Sequence, residues 1–443
     1  MVDKNDIGRR QFLKRAAKVA AGAVAFPYIV PSSALGKAGT VSPSNRVVVG
    51  CIGVGSQGRG VMQNFLHQDI AHVVAVCDVK ANMREVARKR VDKTYGNTGC
   101  AEYHDFRELL ARDDIDAVMI ATTDHWHVLA ALAAARAGKD IYLEKPMGLS
   151  LAEDQALRAA CHRYGTVFQF GTQQRSDWKF RLACELAMNE RVGKVHTINV
   201  LSPSSVAGGS MKPVPVPQWL DYDFWLGPAP YVPYTEERCS NKLWWFHSDY
   251  ALGWIAGWGV HPLDIALWGG GKDLTGPVEL EGTGTFPADG FCDTAVDWNI
   301  VLKYASGVTV NYAGGPQPEK WRQRYGPDAH GVAFEGAEGW VHVNRGRIVA
   351  HPKSLLDSVI APDEIRLYKS NNHVRNLLDC VKSRAQTICP IDVAVRADIV
   401  CQLSDIAIRT RRKIKWDPEK EVIIGDEQAS RLLTRSMRSP WRL

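Results

Sequence analysis

No Cys-x-x-Cys occurs in this 443-residue chain, although it carries ten cysteines. Without that spacing there is no sequence signature for a thiol redox or zinc site. Cys51 and Cys77 fall inside apolar, strand-like runs, so buried free thiols are expected. The histidines are equally scattered. His125-x-His127 is the only tight pair, no further ligand type stands near it, and no metal site is expected. Long apolar runs are missing too: Ala16 to Ala25 is short, includes Lys18 and stops before Pro27, whereas a membrane span takes about 20 apolar residues. Excess charge is also scarce. The net +6, 54 Lys/Arg less 48 Asp/Glu, falls to +2 (48 less 46) once the six basic and two acidic residues of 1–36 are set aside. A nucleic-acid partner has no electrostatic footprint in what remains. The arginines Arg431, Arg435, Arg438 and Arg442 read as a solvated or subunit-clamping tail.

What is present begins with a leader. Arg9-Arg10-Gln11-Phe12-Leu13-Lys14 precedes the weakly apolar stretch, and small residues follow from Ser32 to Gly36. Those three zones match a twin-arginine export signal over residues 1–36. The mature chain is then expected to be soluble and periplasmic or otherwise extracytoplasmic, with no stable membrane insertion. Cargo of that route folds in the reducing cytoplasm, which suits free thiols. Roughly 400 residues remain, enough for two domains.

The first domain is expected over residues 37–165. Arg46 to Ile52 reads as a strand, Gly53-Val54-Gly55-Ser56-Gln57-Gly58 as a loop, and the following residues through Leu66 as a helix. Val73 to Cys77 is the next strand, ending at Asp78. A Gly-x-Gly-x-x-Gly between strand and helix is a dinucleotide-binding fingerprint. Gly53 allows the tight turn, Gly55 lets backbone approach a pyrophosphate, and Gly58 lets helix pack on strand. Asp78 stands about twenty residues on, where an acid accepts from a ribose hydroxyl and repels a 2′-phosphate, favouring NAD over NADP. Strand and helix signals keep alternating: helix Asp105 to Ala111, strand Ala117 to Ala121, helix Val128 to Ala137 and strand Ile141 to Leu143. Ser150-x-x-Glu153 is a capping box opening a helix to Tyr164. This order predicts a doubly wound parallel sheet, with ligands at the carboxyl ends of its strands. Asp78, the Thr122–His127 segment, Glu144 and Lys145 should meet there.

The chain resembles the glucose–fructose oxidoreductase / inositol dehydrogenase (Gfo/Idh/MocA) family, in its exported subgroup. The resemblance rests on the glycine loop, Ala121-Thr122-Thr123-Asp124-His125-Trp126-His127 and Glu144-Lys145-Pro146. It continues through Gly171-Thr172-Gln173-Gln174-Arg175 and Trp258-Gly259-Val260-His261-Pro262-Leu263-Asp264. It implies a Rossmann domain followed, over residues 166–443, by a substrate and oligomerisation domain. That second domain is α/β, with a large, open, mostly antiparallel sheet. Strand-like runs at Val195 to Leu201, Ala295 to Tyr304 and Val308 to Tyr312, with a turn at Ser306-Gly307, agree independently. Homo-oligomers, dimers or tetramers, are common in such proteins.

Hydride transfer from a carbinol needs a group that removes the hydroxyl proton and a cation that stabilises alkoxide character. By the resemblance, Lys145 is the cation and His261 the base. Gly53, Gly55, Ser56, Gln57, Gly58, Asp78, Thr122, His127, Glu144 and Lys145 would face NAD. Arg175 and Asp264 would hold the sugar. From Trp219 to Trp258 the chain is densely aromatic, and Tyr234, Trp244 and Trp245 are candidates to stack on a sugar ring. Many dehydrogenases of the family carry an aspartate four residues before this histidine. Here the position is Gly257, so either another acid orients His261 or its basicity is weakened. An exported enzyme cannot exchange NAD with a cytoplasmic pool, so its chemistry should regenerate the cofactor. Coupled oxidation of one sugar and reduction of another would do so. So would an oxidation–elimination–hydration–reduction cycle that hydrolyses a glycoside. A rival of another class is a non-catalytic, nucleotide-dependent sugar-binding protein.

Overall fold

The structure, a computed structural model, describes residues 41–239, 243–271 and 275–443. The leader read over residues 1–36 lies outside the described residues. Everything below concerns the compact unit from Val47 to Leu443.

Short, almost wholly apolar runs make the first sheet: β1 (Val47–Ile52), β2 (Ala71–Cys77), β3 (Ala101–Tyr103), β4 (Ala117–Ile120), β5 (Asp140–Leu143) and β6 (Phe168–Phe170). Strands apolar on both faces need cover on both, and helices such as Ser56–Leu66, Ala81–Tyr95, Asp124–Arg136 and Leu151–Tyr164 connect them. All pairings are parallel, in the order β3-β2-β1-β4-β5-β6. The chain reverses direction across the sheet between β1 and β4, which opens a crevice at their carboxyl ends. The sixth strand carries this sheet past the boundary expected at residue 165. Three residues are too few to show a strand period. The edge of β6 is covered by the second half of the chain, with Phe170 N–H donating to Cys389 O at 3.0 Å.

The second sheet contains β7 (Val195–Ser202), β8 (Glu279–Thr285), β9 (Asp297–Lys303), β10 (Thr309–Gly314), β11 (Gly331–Gly336), β12 (Trp340–Val343), β13 (Ile348–His351), β14 (Ile414–Asp417) and β15 (Val422–Ile423). Their order is β13-β12-β11-β7-β10-β9-β8-β14-β15. Only β7 and β10 pair in parallel. In β9 the side chains alternate: Trp298, Ile300 and Leu302 are buried, while Asn299, Val301 and Lys303 are exposed. One face therefore packs inward and the other stays open. Helix Ile391–Thr410 is buried along nearly its whole length, because it packs against β8, helix Val260–Gly270 and helix Leu151–Tyr164 of the first domain. All ten cysteines are buried and free. Among the described residues no helix is long and apolar enough to cross a membrane.

Candidate active site

β1 delivers the glycine loop into the crevice. Gly53 takes φ +79°, and a Cβ there would lie 2.5 Å from the Ala121 backbone. A Cβ on Gly58 would come within 1.9 Å of Gly53 O. These two glycines therefore serve close packing. Gly55 differs, since nothing lies within 4 Å of the place its Cβ would take. It lines the groove and is the N-cap of helix Ser56–Leu66, which has no side-chain cap. Open space before free helix N–H groups suits the pyrophosphate of NAD.

Asp78 lines the same groove, and its carboxylate also closes the loop. Its Oδ2 accepts from Val54 N and its Oδ1 from Lys80 N, both at 2.9 Å. Burial raises its pKa, against these hydrogen bonds. Each oxygen keeps a lone pair for a ribose hydroxyl, so the capping and binding readings of Asp78 are compatible.

Thr122 and His127 line the groove from the end of β4. The helix there starts at Asp124, ahead of the expected Val128. His127 Nδ1–H donates to Pro146 O at 2.6 Å, and burial pushes its pKa down to about 4. It is thus a neutral clasp on the turn that follows Lys145. The Lys145–Pro146 bond in that turn is cis. A second clasp comes from the other domain: Met147 N and Gly148 N donate to the Asp398 carboxylate at 3.2 and 3.4 Å. Ser150 and Glu153 form a variant of the expected capping box. Leu149 N and the Ser150 hydroxyl both donate to Glu153 Oε2 at 2.9 Å.

Lys145 Nζ donates to Gly257 O at 3.1 Å and stands 3.9 Å from Glu144 Oε2. Glu144 is buried, Gln57 hydrogen-bonds it, and burial raises its pKa. Asp124 escaped the sequence reading. It lines the groove, burial pushes its carboxyl well above the usual range against the opposing pull of Lys145, and its Oδ2 has no hydrogen-bond partner. The ammonium therefore sits among two buried carboxyls and a fixed carbonyl. The second domain closes the groove with Trp244 and Trp245, as well as Phe224 and Trp225.

His261 stands on helix Val260–Gly270, buried and outside the lining of the groove. Burial, then the charges of Lys145 and Arg345, push its pKa well below 6.5. Among the described residues its buried Nδ1 has no partner, so none of them orients it through that nitrogen in place of the acid missing at Gly257. Arg175 and Asp264, expected at the sugar, hold each other instead. Arg175 Nε and Nη2 donate to Asp264 Oδ2 and Oδ1 at 2.7 and 2.6 Å, and both side chains are buried. Asp264 is fully buried in this clasp and does not line the groove. Tyr234 is also withdrawn, packed edge-on to Tyr222 at 5.2 Å within an aromatic cluster. Arg345, which the sequence did not single out, stands 5.5 Å over the Trp258 ring. An Asn-Arg-Gly turn marks a hairpin tip in sequence, but nothing local says which crevice it overhangs.

Comparison with known proteins agrees with this architecture. Residues 47–172 match the NAD-binding Rossmann fold of the Gfo/Idh/MocA oxidoreductases, and residues 204–443 match an oxidoreductase-family C-terminal α/β domain. An alpha-N-acetylgalactosaminidase from Shewanella oneidensis is 33% identical over 165 residues, 34% of this chain and 36% of that one. A glycosyl hydrolase family 109 protein from Shewanella sp. strain ANA-3 is 37% identical over 160 residues, 33% of this chain and 35% of its own length. The chain thus matches about a third of the length of these relatives. Among solved structures, an aldose–aldose oxidoreductase from Caulobacter crescentus superposes with TM-score 0.61 at 19% identity, covering 84% of this chain and 99% of that one. GenD2 from gentamicin A biosynthesis, in complex with NAD, gives TM-score 0.61 at 18% identity over 85% and 98%. These structural likenesses show the fold.

Proposed function

The chain belongs to the Gfo/Idh/MocA oxidoreductase family, and on that premise we propose that it acts on a ring hydroxyl of a pyranose or pyranoside through tightly held NAD that it regenerates within each cycle. The carrying observation is Lys145, its ammonium fixed by Gly257 O at the end of the nucleotide groove. When bound, NAD supplies the hydride acceptor and donor of the cycle, with Asp78 favouring it over NADP. Lys145 hydrogen-bonds the reacting oxygen and stabilises its alkoxide character. His261 is neutral, so it can accept the hydroxyl proton, and its lowered pKa makes it release that proton readily. Asp124 and Glu144, their pKa values raised by burial beside Lys145, hold protons more readily than ordinary carboxyls and can pass them on. Trp244 and Trp245 cover the groove and exclude water.

The twin-arginine leader belongs to this reading, because a periplasmic or other extracytoplasmic enzyme has no NAD pool to draw on. A dimer or tetramer is part of it as well. A second reading, redox-neutral glycoside hydrolysis, is favoured by the two glycosidase relatives. Oxidation at a ring carbon, commonly carbon 3, acidifies the proton on carbon 2. The aglycone then leaves, water adds, and the ketone is reduced again. The test uses the purified protein without added NAD, with nitrophenyl glycosides and free sugars in deuterated water. Aglycone release with deuterium at carbon 2 selects hydrolysis. Paired oxidation and reduction of sugars selects the oxidoreductase. Protein that carries no nucleotide and turns over only when NAD is added would sink the closed cycle.

A further inference from the structure

Outside the groove, three segments distant in sequence meet around the Trp258 ring. Gly257 holds Lys145 through its carbonyl. The next residue, Trp258, is partly exposed, and its ring lies 6.3 Å from the His261 ring. Arg345 stands over the same indole at 5.5 Å, and the His330 ring approaches at 6.3 Å. The turn that carries Arg345 is well tied. Asn344 Oδ1 accepts from Gly346 N and Arg347 N at 2.9 Å, and Arg347 Nη2 donates to Tyr325 O at 2.9 Å. His330 pairs with Asp328 at 3.2 Å. Arg345 is the exception. Among the described residues its guanidinium makes no ion pair or hydrogen bond, only the contact with Trp258. Its charge nevertheless reaches the reacting groups, since it lowers the pKa of His261 and Glu144 acts on it in turn.

A guanidinium held over an indole and left without a carboxylate is a ready fork for an oxyanion. The indole offers an apolar face for the C–H side of a sugar ring. We propose that Trp258 and Arg345 form a subsite for an anionic sugar, whose carboxylate or sulfate pairs with Arg345 while its ring lies against Trp258. Arg345 is thus a specificity-determining residue, and the substrate class narrows to uronic acids, uronides or sulfated sugars. This rests on the carbohydrate reading above.

Two arms keep the two ideas apart. Calorimetric binding of glucuronate, galacturonate and glucose 6-sulfate is compared with glucose and galactose on the protein as purified. Consumption of the matching neutral and anionic nitrophenyl glycosides is followed by chromatography. Wild type should bind at least one anionic sugar more tightly than its neutral parent by about tenfold or more. Arg345→Ala should abolish that ratio and Arg345→Lys should retain part of it, while Trp258→Ala weakens both members of a pair. Equal binding of neutral and anionic sugars, or a preference that survives Arg345→Ala, overturns the subsite. Failure to consume any glycoside of either class counts against the proposed function, and the binding arm still decides the subsite. Carboxylate and sulfate are told apart by which ligand shows the larger ratio.

Discussion

The two walls of the crevice are built by different rules. On the cofactor wall, Gly55, Asp78, Thr122, His127, Glu144 and Lys145 all line one groove. Each stands in or beside a connection that leaves the carboxyl end of a parallel strand, so local order along the chain fixes its place. On the substrate wall, Trp244 and Trp245 line the groove as expected for the sugar, but three other expected residues are held elsewhere. Arg175 and Asp264 clasp each other, and Tyr234 packs into an aromatic cluster. In the subsite proposed above, Trp258 and Arg345 come together from the turn before helix Val260–Gly270 and from a hairpin tip far apart in sequence. A wall made of consecutive βα units is set by neighbours in sequence. A wall made by a mixed sheet depends on long-range pairing, which no short motif encodes.

The largest expected effect tests whether Arg175 and Asp264 are structural. Removing one partner of a buried pair leaves the other charge uncompensated, at a cost of about 3–5 kcal/mol. Asp264→Ala should therefore lower the denaturation midpoint sharply, and the fraction that folds should keep its sugar preference. A raised KM with an unchanged midpoint would return Asp264 to the substrate. Next comes Lys145→Met. Losing the cation that stabilises a developing alkoxide should lower turnover by about 100-fold or more, with nucleotide content unchanged. Unchanged turnover would take Lys145 out of the chemistry and favour the non-catalytic sugar-binding rival.

A third test separates glycines within one loop. Gly58→Ala drives a Cβ to 1.9 Å from Gly53 O and should cost about 3 kcal/mol of stability, the upper range for overpacking. Gly55→Ala meets open space, so the fold should hold while nucleotide content, read by absorbance after denaturation, falls. Equal loss of stability in both would mean that Gly55 also packs.

That contrast shows how much was legible in advance. The Gly-x-Gly-x-x-Gly pattern announced the loop and the acid at Asp78 because each serves local geometry. The alternating strands at Val195, Ala295 and Val308 announced the second sheet, since burial on one face enforces a period of two. Helix Ile391–Thr410 escaped notice: its polar residues Asp398, Gln402 and Asp405 are themselves buried against other elements, so polarity does not mark a solvent face along it. β6 was too short to show a period. Asp124 is an acid in the first turn of a helix, which in sequence reads as a favourable end charge; only the fold shows it buried beside Lys145. Arg345 showed only that it sits at a hairpin tip, because its neighbours are set by the pairing of β12 with β11 and β13.

The smallest expected effect joins the walls. Burial first, and then Lys145 and Arg345, hold the pKa of His261 well below 6.5. A lowered pKa keeps the imidazole neutral at pH 7 and still neutral as pH falls through about 6.5, where an ordinary histidine gains its charge. The acid side of the kcat/KM profile should therefore show no break near that pH, and His261→Gln should lower the rate without reshaping it there. Arg345→Ala removes one of the neighbouring cations, which raises the pKa of His261 and moves its acid limb toward neutrality. The shift should be small, because burial, the larger cause, remains. A wild-type break near 6.5 that disappears in His261→Gln would mean an ordinary, hydrated imidazole. The hairpin bearing Arg345 would then not press on the reacting groups, and the walls would act separately.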